Sequence, residues 1–98
     1  MNNMLETLQE IIRQRRANPQ EGSYTARLMA RGRSKIAQKV GEEAVEVVVA
    51  AMGQGREEQI SELSDLLYHT LVLMVELGIS LDDLYVELAR RHQERQGS

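Results

Sequence analysis

Two acidic pairs lie in the middle of this chain, Glu43-Ala44-Val45-Glu46 and Glu62-Leu63-Ser64-Asp65. Carboxylates three positions apart share one face of an α-helix, so each pair is a two-pronged oxygen ligand wherever its segment is helical. Between the pairs the run Gly53-Gln54-Gly55 interrupts the pattern. Glycine is a good helix stop, and the chain becomes helix-compatible again near Arg56, which leaves only a few residues of connection. Two helices joined so tightly lie antiparallel. Residues equally far from such a turn come level, and Glu46 with Glu62, Glu43 with Asp65, and Lys39 with His69 are each centred on Gln54. The expected picture is four carboxylates at matching heights, flanked about one turn (roughly 5.4 Å) further out by a cation and an imidazole. This register sets height along the helices and leaves their rotational phase open.

Like charges gathered on facing helices repel, so the arrangement is unfavourable unless something positive lies among them. Mg²⁺ suits the place, because it prefers oxygen ligands, keeps several waters and shares its shell with substrate phosphates. Such an ion neutralises a leaving pyrophosphate and acidifies an attacking water, which together make hydrolysis of a phosphoanhydride. The cations Arg27, Arg31, Arg33, Lys35 and Lys39 precede the acidic motif and form a local anion site within an acidic protein. The same spacings also occur on the solvated faces of ordinary amphipathic helices. On that plainer reading Lys39 pairs with Glu43 four residues on, His69 is a polar residue satisfied at the rim of the core, and Tyr24 is a packed aromatic. The protein would then be a non-catalytic helical interaction module.

The composition names the scaffold. There is one proline, no Phe, no Trp and three tyrosines among 98 residues, a helical-protein profile. A chain this short forms one domain, 1–98, and buries a smaller share of its surface than larger chains do, which favours self-association. The absence of cysteine excludes disulfides, thiolate chemistry and a Cys-ligated zinc site. No basic-then-apolar leader is visible and the longest apolar run, Val47 to Met52, is too short for a bilayer, so a cytoplasmic protein without membrane partners is expected. A net charge of −3 argues against a general nucleic-acid binder.

Four helices follow from the periodicity. Met4 to Arg16 places Leu5, Leu8, Ile11 and Ile12 on one stripe, starts with Asn3 and Glu6 as a capping box, and ends at Asn18-Pro19. Gln20 to Gly32 reads as an ordered loop with a helical piece at Ala26 to Ala30. Ser34 caps a second helix from Lys35 to Met52, where alanines and glutamates outweigh the strand-like Val45, Val47, Val48 and Val49. A third helix runs from Glu57 to Leu77 and stops at Gly78. Ser80 and Asp83 open a fourth, with Leu81, Leu84, Tyr85 and Leu88 as its inner stripe, and the residues towards Ser98 are expected to fray.

Three motifs in order give this sequence a familiar outline: Ser23-Tyr24-Thr25-Ala26, Lys39-Val40-Gly41-Glu42-Glu43-Ala44, and Glu62 to Asp65 continuing as Leu66-Leu67-Tyr68-His69. Over about Gly22 to His92 the chain resembles the phosphoribosyl-ATP pyrophosphohydrolases of histidine biosynthesis, and its acidic pairs resemble more broadly those of MazG-like all-α nucleotide pyrophosphohydrolases. The resemblance implies an all-α small bundle built on an antiparallel two-helix hairpin, completing a four-helix core by dimerisation. It also implies hydrolysis of 1-(5-phosphoribosyl)-ATP to 1-(5-phosphoribosyl)-AMP and pyrophosphate. By position, Glu43, Glu46, Glu62 and Asp65 become Mg²⁺ ligands, with Glu42, Glu43 and Glu46 as the catalytic acids and Glu42 as support or water base. Lys35 and Lys39 become phosphate contacts, and Ser23, Tyr24, Thr25, Arg27 and His69 complete the substrate-binding set. Some relatives fuse this domain to a cyclohydrolase with a cysteine zinc site. Lacking those cysteines, this chain would pass its product to a separate protein. The competing assignment within the superfamily is a house-cleaning pyrophosphatase acting on free nucleotides.

Overall fold

A computed structural model describes residues 3–97. It is all-helical among those residues: α1 Met4–Ala17, α2 Tyr24–Ala30, α3 Arg33–Gly53, α4 Arg56–Leu77 and α5 Leu81–Gly97. The valine cluster is helical, as the flanking alanines and glutamates require. None of the described helices is long and apolar enough to cross a membrane.

The boundaries follow the local chemistry, with corrections to the sequence reading. α2 begins at Tyr24, before the expected Ala26, because the Ser23 hydroxyl accepts from the Ala26 N–H at 3.2 Å and caps the helix. α3 starts at Arg33 on a Gly32 with φ +93°, ahead of the expected Ser34 cap. Asn3 caps nothing with its side chain; Thr7 donates instead to the Asn3 carbonyl at 3.2 Å. Gly78 ends α4 in the left-handed region at φ +72°, and the Ile79 N–H reaches back to the Met74 carbonyl at 2.9 Å. Ser80 and Asp83 exchange the expected capping-box bonds, at 2.8 and 3.2 Å. Helix α5 continues to Gly97 where fraying was expected, and Ser98 lies outside the described residues.

Ile12 of α1, Leu28 of α2, Ile36 of α3, Leu71, Val72, Met74 and Val75 of α4 and Leu81 form the core. Gln9, itself buried, ties the α4–α5 junction to α1: its amide donates to the Ile79 carbonyl at 3.3 Å and accepts from the Leu81 N–H at 3.2 Å. Beyond Leu81 the expected inner stripe of α5 is not covered, with Leu84, Tyr85 and Leu88 all more than a third exposed. Periodicity marks the apolar side of a helix but not what covers it. The radius of gyration, 15.4 Å, exceeds the about 13 Å of a compact chain of this length, because α5 makes only marginal contact with the other helices.

Candidate active site

The heaviest interhelical packing is between α3 and α4, which only Gln54 and Gly55 connect. Gln59 secures the connection by donating to the carbonyls of Ala50 at 3.2 Å and Gln54 at 3.0 Å. One turn of each helix then carries acids that feel one another. Glu43 is buried, while Glu46 and Asp65 are exposed and Glu62 is half-buried.

Glu43 is the most perturbed of them. A hydrogen bond to Glu46, which only the protonated form can make, favours the proton most, burial adds to that, and the charges of Glu46 and Asp65 outweigh the opposing Lys39, so its pKa is pushed up to about 7. With both carboxylates ionised neither can donate, and Glu43 Oε2 is left buried without a hydrogen bond. Glu62 is also raised, by partial burial and by Glu46 and Asp65. The four acids singled out in the sequence therefore form one electrostatic unit. Among the described residues, though, no three acidic or imidazole groups converge tightly enough, as posed, to grip an ion.

Next to this unit lies a cleft of about 430 Å³ lined by Tyr24, Arg27, Leu28, Arg31, Lys35, Lys39 and Glu42. Arg27, Lys35 and Lys39 were anticipated there. Arg31 was noticed only as part of a cation run, and because it lies in the break between α2 and α3 no helical spacing marked it out. Arg33, from the same run, pairs instead with Glu76 at 3.4 Å. Lys39 pairs at 3.6 Å with Glu42, not with the Glu43 suggested by the sequence. Slight burial opposes its charge, but Tyr24, Glu43 and Glu42 together more than offset this and hold its pKa above the usual lysine value. Glu42 is kept ionised chiefly by the Gln38 amide, which donates to it at 2.8 Å, despite slight desolvation and helped by Lys39 and Lys35.

The Ser23-Tyr24-Thr25 motif divides. Ser23 caps α2, and the Thr25 hydroxyl is buried against that of Tyr68, so both are engaged in the fold. Only Tyr24 lines the cleft, and its hydroxyl lies 2.8 Å from His69 Nε2. His69 is buried, as a polar group at the core's edge should be, with Nδ1 2.7 Å from the Asp65 carbonyl and 3.8 Å from Glu43 Oε1. A carbonyl only accepts, so in the neutral ring Nδ1 carries the proton and the bare Nε2 accepts from Tyr24.

Comparison with known proteins yields a consistent set. The family profile for phosphoribosyl-ATP pyrophosphohydrolase matches residues 5–92, reaching into the first helix as well as the motifs from Gly22 onward. The chain is 55% identical over 91 residues to a phosphoribosyl-ATP pyrophosphatase of Metallosphaera sedula, covering 93% of this chain and 98% of that one. It is 56% identical over 88 residues to the protein of that name from Pyrobaculum aerophilum, covering 90% and 94%. A histidine biosynthesis bifunctional protein, HisIE, of Oceanobacillus iheyensis is 51% identical over 86 residues, which are 88% of this chain and 40% of that longer one.

Proposed function

The chain belongs to the phosphoribosyl-ATP pyrophosphohydrolase family, and on that premise we propose that it hydrolyses 1-(5-phosphoribosyl)-ATP to 1-(5-phosphoribosyl)-AMP and pyrophosphate with Mg²⁺ as cofactor. The observation that carries this reading is Glu43, a buried carboxylate with an orphaned oxygen and a raised pKa beside Glu46 and Asp65, at the border of a cationic cleft. That donor set fits a hard divalent cation, with Glu43, Glu46, Glu62 and Asp65 as the residues that would hold it. When bound, the ion supplies charge neutralisation for the leaving pyrophosphate and acidifies the attacking water.

The remaining chemistry belongs to the chain. Arg27, Arg31, Lys35 and Lys39 bind phosphate oxygens in the cleft and orient the anhydride towards the acids. Glu42, ionised and next to Lys39, would be the group that accepts a proton from water. The antiparallel hairpin of α3 and α4 brings the acids of both helices to one level, which the short connection and the Glu43–His69 approach support. Pyrophosphate release from 1-(5-phosphoribosyl)-ATP, measured with and without Mg²⁺ for the native chain and Glu46→Ala, tests the assignment. Release that needs the metal and is lost in the variant is expected. Preference for a free deoxynucleoside triphosphate would move the assignment to the house-cleaning pyrophosphatases.

A homodimer belongs to the same reading. Val45, Val48 and Met52 of α3 and Ile60, Leu63 and Leu67 of α4 are each at least half exposed, and a second copy packed there completes a four-helix core. Light scattering is expected to give about twice the 11.1 kDa chain mass, and Val48→Asp to return it to the monomer value. A native chain that scatters as a monomer at assay concentrations rules the dimer out. The product is then taken by a separate cyclohydrolase in the cytoplasm.

A further inference from the structure

The cationic cleft accounts for the phosphates of the proposed substrate and the acids for its reacting anhydride, which leaves the purine ring without a place. A second cavity, of about 410 Å³, opens between α1 and α4. Leu5 and Leu8 of α1 and Leu67 and Leu71 of α4 line it, together with Met4, which is 51% exposed, and Tyr68. The polar atoms of this lining are nearly all spent. The Tyr68 hydroxyl is bonded to that of Thr25, and the Ser64 hydroxyl donates to the Ile60 carbonyl of its own helix at 2.8 Å. That leaves the Asp65 carboxylate as the remaining polar side-chain group. A cavity so lined has nothing to hold a phosphate with, and suits a flat ring buried by its faces.

Its position selects the ring. Asp65 belongs both to this lining and to the acids assigned to the reaction. Two contacts lead from it to the cationic cleft: His69 Nδ1 lies 2.7 Å from the Asp65 carbonyl, and His69 Nε2 lies 2.8 Å from the hydroxyl of Tyr24, which lines the cleft. The bond between Thr25 and Tyr68 joins the same two helices beside it. Cleft and cavity thus flank one short span of α4, residues 65–69, each with an acid in its lining, Glu42 in one and Asp65 in the other. We propose that the cavity between α1 and α4 is the subsite for the purine ring, so that the nucleotide lies across the acids with its phosphates in the cationic cleft and its base against Leu8 and Tyr68. The identity of the nucleotide rests on the hydrolase reading. The competing occupant is a second copy of the chain, because Leu67 also belongs to the exposed face of α4 assigned to the dimer.

The methionines supply a readout on the native chain. Met4 lines the cavity, whereas Met52 lies in the last turn of α3. With isotope-labelled methionine methyl groups, and the Met4 signal identified by its loss in Met4→Gln, adding AMP is expected to shift Met4 through the ring current of the base and to leave Met52 in place. Inorganic pyrophosphate is expected to leave Met4 unmoved. A Met4 signal that ignores AMP overturns the proposal. One that follows protein concentration instead of AMP also overturns it and gives the cavity to a second copy. Ser64→Trp, at an exposed position of the lining, fills the cavity and is expected to raise KM for 1-(5-phosphoribosyl)-ATP about tenfold, within the worth of one stacked base, with kcat within about twofold. Its calorimetric affinity for inorganic pyrophosphate is expected to stay within about twofold of the native value. An unchanged KM, or an equal loss of pyrophosphate affinity, overturns the proposal. The Met4 shift decides the matter even where Ser64→Trp fails to fold. A folded native chain that releases no pyrophosphate while its Met4 signal answers AMP overturns the hydrolase reading and supports the subsite.

Discussion

Glu43→Gln is expected to reduce Mg²⁺-dependent pyrophosphate release by roughly 10² to 10³-fold and to raise the melting temperature of the metal-free protein at pH 8. Both effects have one source. The Glu43 carboxylate is buried against Glu46 and within the field of Asp65, with one oxygen that has no hydrogen bond. In the resting protein that charge opposes folding; in the proposed site it would be the innermost of the oxygen donors. Glutamine keeps the shape, removes the charge and offers an amide N–H that Glu46 can accept. Losing one charged group aimed at a phosphoryl-transfer site has effects of this size on rate. Removing an unfavourable carboxylate stabilises by about 1–2 kcal/mol, which is several degrees for a domain this small. Retained turnover would remove Glu43 from the machinery. Lost turnover with a lower melting temperature would make it a structural acid.

The acidic pairs were legible because their spacing about Gln54 needs only the helical repeat and a tight connection, and the same acids do perturb one another in the folded chain. What spacing could not show was phase. It treated Glu43 and Glu46 alike, yet one is buried and the other exposed. Helix ends at Gly78 and at Ser80 with Asp83 were readable from turn and cap chemistry, which is local. Arg31 and Arg33 could not be told apart in the sequence, because only the packing of α3 near α4 sends Arg33 to Glu76 and leaves Arg31 in the cleft. The Ser23 and Thr25 hydroxyls were read as pocket groups, since a motif does not reveal that capping and Tyr68 engage them first. For α5 the stripe was right as a pattern and wrong as a buried face. None of the described helices covers it.

The sign of the Glu43 shift makes a second large prediction. Its folded pKa, about 7, lies above the ordinary 4.5, so between those values the folded chain holds a proton that the unfolded chain has released. Stability of the metal-free protein therefore falls as pH rises through this window, by an amount on the order of 3 kcal/mol, and levels off above it. Glu87 works the other way: hydrogen bonds from Arg90 and Arg91 lower it to about 2, so its contribution is gained as pH rises from there and is complete before Glu43 begins to titrate. Denaturant unfolding of the native chain and Glu43→Gln at pH 5 and pH 8 isolates the difference, since every other group is common to both. The native chain is expected to lose stability relative to the variant on going to pH 8. Mg²⁺ at about 100 times its Kd adds about 2.7 kcal/mol to whichever protein binds it, so it should largely cancel the native slope and leave the variant nearly unmoved. Equal slopes in the two proteins would mean that Glu43 is not the strained acid. Equal stabilisation by Mg²⁺ would mean that the ion binds without it, because a cation that needs the ionised carboxylate must compete with the proton for the same oxygen.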